Sequence, residues 1–252
     1  MRELEIVDLY RHYRWREQTG IASELRAIAR CRRFVVANAP VFFGEGEVQF
    51  EKIKTQAMKV YKSVKDQTLN EVAAGVRQLE LLMLAQDLVP LREHARAMDG
   101  LKSLLVKDMV ALAKTLPYAE WWAGQDGLAI PGLALVIGAA GRPLPDYRDH
   151  SALWKRFGLG LVGEERQRKC KDAEKALAHG YDPIRRSMIW RVAQAAIFAG
   201  KRKDSRLYQT YAAEKTKQEE LHPELKPIVR HMRAHRYVAK RILRDLYREA
   251  TR

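Results

Sequence analysis

The side chains that could do chemistry gather between positions 127 and 190. Ile130-Pro131-Gly132-Leu133-Ala134 sets an apolar residue and a Pro-Gly pair before a run of small residues, the pattern of a helix-hairpin-helix turn. Such a turn can leave backbone amides at a helix N-terminus free to meet a phosphate oxygen. Pro131, Gly132, Leu133 and Ala134 are the residues expected to do so, although Pro-Gly before a helix also serves as plain punctuation. Cations follow in three groups: Lys155-Arg156, then Arg166 with Arg168 and Lys169, then Arg185-Arg186 beside the hydroxyl of Ser187. Clustered Lys and Arg neutralise neighbouring phosphates, which sets affinity and salt sensitivity more than sequence choice.

Bond-making chemistry has weaker support. Cys170 lies between Lys169 and Lys171, which could lower its pKa, but its ordinary reading is a small residue. Ser187 is the better nucleophile of the two, and neither is assigned a catalytic role. His231 and His235 are four apart, yet no glutamate follows the first as in His-Glu-x-x-His, and cations surround them, so no metal site is expected. Glu3, Glu5, Asp8, Glu17 and Glu24 fall on one helical stretch and read as solvated charges, not as a converging two-metal set. Cys31 and Cys170 have neither zinc-ligand nor disulfide-framework spacing. No cofactor is implied.

The elements that must hold these residues read as helices throughout. A basic helix spans 6–36, interrupted near Gly20, with Tyr10, Tyr13 and Trp15 between arginines. Pro40, Gly44 and Gly46 break it. Apolar residues then recur at helical intervals through Ile53, Val60, Val64, Leu69, Val72, Val76, Leu79 and Leu82, the pattern of a two-helix or coiled-coil arm. Pro90 is read as opening another helix, which Pro117 closes. After the hairpin, Ser151 is the expected N-cap of a short helix, the basic stretch 163–180 is a loop or short helix, and Pro183 starts a helix bearing Arg185 and Arg186. The final helix, 227–248, has an apolar stripe and a basic ridge. The expected organisation is all-α: a basic helical segment over 1–46, an arm over 47–126 and a helix-hairpin-helix domain over 127–252.

Composition agrees with a polyanionic partner. The 252-residue chain carries a formal net charge of +15, which places nucleic acid first among partners, ahead of an anionic surface or an acidic protein. The longest apolar run, 127–141, is too short to span a bilayer, and the amino terminus lacks an apolar signal core, so a cytoplasmic protein without membrane contact is expected.

The block from 127 to 190 resembles the carboxy-terminal domain of DEDD-type (Piv/insertion-sequence) transposases. The likeness is carried by Ile130-Pro131-Gly132, by Leu153-Trp154-Lys155-Arg156-Phe157-Gly158-Leu159, by the basic stretch 163–175, and by Arg185-Arg186-Ser187 leading into Val192-Ala193-Gln194-Ala195-Ala196. A closer likeness is to phage and mobile-element proteins that keep the Trp-Lys-Arg, Glu-Arg-Gln-Arg-Lys, His-Gly-Tyr and Arg-Arg-Ser segments. The resemblance begins near Val76. It implies DNA more than RNA as ligand, and a homodimer paired through the arm. The family's acidic nuclease half is not visible in the first seventy-odd residues, and Glu164-Glu165-Arg166-Gln167 stands where its serine would be expected. The resulting expectation is a DNA-binding, transposase-like protein without intact catalytic residues. Its rivals are a recombinase component acting through Ser187 and a protein-interaction adaptor or inhibitor.

Overall fold

The computed structural model describes residues 1–66, 68, 71 and 75–252. Leu69 and Val72 of the predicted arm lie outside the described residues. The chain is all-α: α1 (Arg2–Ala37), α2 (Ala39–Phe43), α3 (Phe50–Asp66), α4 (Gln78–Ala113), α5 (Ala119–Ala123), α6 (Ile130–Ala140), α7 (His150–Arg156), α8 (Ala173–His179), α9 (Pro183–Lys201), α10 (Arg206–Leu221) and α11 (Pro227–Ala250). Among the described residues, strands are confined to a hairpin of β1 (Leu161–Val162) and β2 (Glu165–Arg166), antiparallel with Leu161 opposite Arg166. None of the described helices is long and apolar enough to cross a membrane.

Two compact units divide the chain, one formed by 1–12 with 105–252 and the other by 13–104. The boundary drawn on the sequence at 46/47 therefore falls inside the second unit. In that unit α1, α3 and α4 share a core of Ala27, Cys31, Val35, Ala57, Val60, Val64, Leu84 and Leu88. Val60 and Val64, read from the sequence as an arm stripe, are used here, whereas Leu79 and Leu82 remain exposed.

Two helix breaks expected from the sequence do not occur. Helix α1 runs unbroken through Gly20, where a β-carbon would stand 3.3 Å from Cβ of Met98. The glycine permits close approach of α4, and packing offsets its lower helix propensity. Helix α4 likewise continues through Pro90. Proline removes one helical hydrogen bond, but Pro90 faces solvent, so the freed carbonyl of Gln86 can turn to water. Arg30 Nη1 also donates to the Asp87 carbonyl in that turn.

The larger unit is built on the apolar stripe of α11, whose Ala234, Val238, Ala239, Ile242, Leu243 and Leu246 are buried. Helices α7, α9 and α10 pack on α11. The first turns of α1 belong to this unit. There Glu3 accepts hydrogen bonds from the Tyr118 hydroxyl (2.9 Å) and the Leu144 amide (2.7 Å), and the buried phenol beside that carboxylate is pushed well above its ordinary range. Asp149, not Ser151, caps α7, its carboxylate accepting from the Ala152 amide at 2.8 Å. Aspartate two residues earlier fits because the helix begins at His150. Asp182 caps α9 ahead of Pro183, as Pro at the first turn favours.

Candidate functional site

The predicted hairpin is a packing element. Helix α6 starts at Ile130, and the amides of Gly132 and Leu133 both donate to the Ala129 carbonyl, at 2.9 and 3.3 Å. Trp122 Nε1 donates to the same oxygen at 3.0 Å. Leu133 and Ala134 are fully buried. Gly127, with φ +80°, lies so close to α9 that a β-carbon there would sit 2.6 Å from Cα of Ala196 and 2.8 Å from the Ala195 carbonyl oxygen. The turn therefore faces the alanine-rich side of α9, and the amides of Gly132 and Leu133 are already satisfied within the first helical turn.

The predicted cations fare differently, because two basic clefts collect Lys155, Arg156, Arg166 and Arg185, while Arg168, Lys169 and Arg186 line neither. The first, about 400 Å³, is lined by Arg142, Lys155, Arg156, Gln167, His179 and Arg185 among others. Helix α6 ends in Gly141, left-handed at φ +79°, and a side chain there would collide with the Arg156 guanidinium. Arg156 Nε donates to the Ala139 carbonyl at 3.3 Å, and the Tyr147 hydroxyl donates to Ala140 at 2.6 Å. Cations at a helix C-terminus meet its partial negative charge, which fixes Arg156 in place. Burial, then the charge of Arg185, pushes the Arg156 pKa down. Arg142 lies 4.0 Å above the Tyr147 ring, and Arg185 is held by Asp182 at 3.3 Å.

The second cleft, about 260 Å³, lies between α10 and α11 with Arg166 of β2 on its wall. Arg166 lines this cleft and its neighbour Gln167 lines the first, so the hairpin segment stands between them. Gln167 fixes that segment: its Oε1 accepts from the Gly160 amide (2.9 Å) and its Nε2 donates to the His179 carbonyl. Three successive carbonyls on this segment receive arginines. Arg186 Nη1 donates to Gly158 at 2.8 Å, and Arg236 Nη2 to Leu159 at 2.6 Å and Gly160 at 3.3 Å. Lys240 Nζ rests 3.9 Å from the centre of the Trp154 ring, whose Nε1 donates to the Lys240 carbonyl. Burial, with the charges of Arg186 and Arg166 adding to it, pushes Arg236 down to about 10. Burial lowers Lys240 and Arg186 as well, with Arg166 contributing to both.

Among the described residues, Arg142, Lys155, Arg156, Arg166, Arg186, Arg236 and Lys240 form no ion pair, although carboxylates serve their neighbours. Arg168 pairs with Glu165 at 3.0 Å, and Arg241 and Arg244 share Asp245 at 2.9 and 3.2 Å. Lys169 and Ser187 are exposed. Cys170 Sγ donates to the Arg168 carbonyl at 3.6 Å. His231 Nδ1 shares a hydrogen bond with the Tyr211 hydroxyl at 2.7 Å, and His235 stacks on Trp190 at 3.6 Å. Arg142, Arg233, Arg236 and Lys240 were not singled out from the sequence as site residues. The spacing of 233, 236 and 240, three and four apart, was the available signal that they share one line along α11.

Compared with known protein families, curated proteins and solved structures, the chain matches none.

Proposed function

We propose that this chain binds nucleic acid by gripping the phosphate backbone in its two basic clefts, with no bond-making step of its own. One observation carries the reading: Arg142, Lys155, Arg156 and Arg185 line the first cleft and Arg166, Arg233, Arg236 and Lys240 the second, eight cations against the single lining carboxylate of Glu214. Holding like charges together, several of them half-buried, opposes folding. A polyanion removes that repulsion and releases its counterions in exchange. Protein carbonyls hold Arg156, Arg186 and Arg236 by some of their donors, which positions the guanidinium groups without neutralising them.

DNA is the proposed polymer and a phage or other mobile element the proposed source, both from the resemblance of 127–190 to transposase carboxy-terminal domains. A cytoplasmic setting follows from the ligand. Pairing of two copies through the arm belongs to the same proposal, supported by exposed Leu79, Leu82 and Met83 on α4, and sedimentation velocity tests it.

Fluorescence anisotropy at low salt with duplex DNA, single-stranded DNA and a hairpin RNA tests the binding. Arg142→Ala/Lys155→Ala empties part of the first cleft and Arg166→Ala/Lys240→Ala part of the second. Weaker binding in both variants is expected. No binding of the unaltered protein to any of the three polymers sinks the proposal.

A further inference from the structure

The two clefts differ in one respect that bears on what they hold. The first has an aromatic ring, but Tyr147 is buried, its hydroxyl is spent on the Ala140 carbonyl and Arg142 covers its face. The second cleft has Tyr237, 44% exposed, on the same helix as Arg233, Arg236 and Lys240. Opposite that helix, α10 supplies a polar wall. Gln218 accepts from Arg233 Nη1 at 3.1 Å and donates to Glu214 at 2.8 Å, and the ring of His222 completes the lining. An open ring, cations lining the same cleft and a polar wall match the three parts of a nucleotide: π-face, phosphate and base edge. Uninterrupted duplex keeps its bases stacked on one another and can offer this cleft only backbone.

We propose that the second cleft takes an unstacked nucleotide, its base lying on Tyr237 and its phosphates on Arg166 and Lys240, so that the protein prefers single strands to continuous duplex. The proposal rests on the reading of both clefts as phosphate sites. The first cleft then serves as a backbone grip that any strand can occupy, and the second discriminates.

Anisotropy titrations with a fluorescein-labelled oligothymidylate and a blunt duplex of the same length separate the two levels. The expected result is tighter binding of the oligothymidylate. Tyr237→Ala weakens that binding by about 5- to 160-fold, the range for losing one base–aromatic stack. It leaves duplex binding essentially unchanged, and Tyr237→Phe keeps the preference because the ring, not the hydroxyl, carries it. Circular dichroism of each variant confirms the fold, which a half-exposed position allows to change freely. A preference for duplex, or a Tyr237→Ala variant that loses both polymers equally or neither, overturns the proposal. Arg166→Ala/Lys240→Ala reports on the underlying reading: weaker binding to both polymers retains phosphate gripping even if the Tyr237 result fails, and no change in either overturns that reading too.

Discussion

Gly127→Ala tests directly whether the hairpin is a packing element. The glycine has φ +80°, and a β-carbon would stand 2.6 Å from Cα of Ala196, 2.8 Å from the Ala195 carbonyl oxygen and 2.9 Å from Cβ of Ala199. Two costs add. Placing an L-residue in the left-handed region costs about 1–2 kcal/mol, and forcing a methyl into a filled space costs about 1–3 kcal/mol. Neither neighbour can yield cheaply, because two of the three contacts are backbone atoms of α9. The expected destabilisation is therefore about 2–5 kcal/mol, against a usual domain stability of about 5–15 kcal/mol. Urea unfolding followed by tryptophan fluorescence suits the question, since four of the five tryptophans, Trp121, Trp122, Trp154 and Trp190, belong to the larger unit. A midpoint shift corresponding to less than about 0.5 kcal/mol, the range of unremarkable surface substitutions, would refute the packing role and return the hairpin to the list of ligand-facing elements.

Acid should loosen the larger unit through His235. This imidazole is 1% exposed, stacks on Trp190 and has no hydrogen-bond partner at either nitrogen. Burial, and secondarily His231, depresses its pKa from 6.5 to about 4. The unfolded chain thus binds the proton more readily, so stability is full above pH 6.5 and falls as pH drops toward 4, by about 3 kcal/mol in all. His235→Phe should flatten that window in urea melts across pH, and an unchanged slope would contradict the assignment. The two thiols should separate cleanly. Cys31 is buried with its pKa pushed up to about 12, whereas Cys170 is partly accessible. A thiol reagent such as DTNB should therefore modify one cysteine in the native protein and both after denaturation, and rapid native modification of both would contradict the burial of Cys31.

The helical class was legible because apolar periodicity persists over long stretches and Pro183 marks a helix start, although the expected cap at Ser151 proved to be Asp149. The breaks predicted at Gly20 and Pro90 were not, since local propensity cannot register that α4 packs against Gly20 or that Pro90 faces solvent. The hairpin of β1 and β2 was too short to show alternation. Among the site residues, composition pointed to the cations but not to their grouping. Arg156, Arg186 and Arg236 converge because they bind carbonyls of Ala139, Gly158 and Leu159, and main-chain acceptors leave no mark in a sequence. The Pro-Gly signal at 131–132 marks a helix start, but nothing in it tells that the Ala129 carbonyl satisfies its amides or that α9 packs against the turn.

The salt dependence of binding tests the central claim most directly. For the oligothymidylate complex, log Kobs should fall linearly with log salt, and each phosphate contact should contribute about −0.7 to the slope. Removing Lys155, Arg166 and Lys240 together should make the slope shallower by about 2, as the loss of three phosphate contacts requires. A slope unchanged in that variant would place the polyanion elsewhere on the chain and contradict the account of the two clefts.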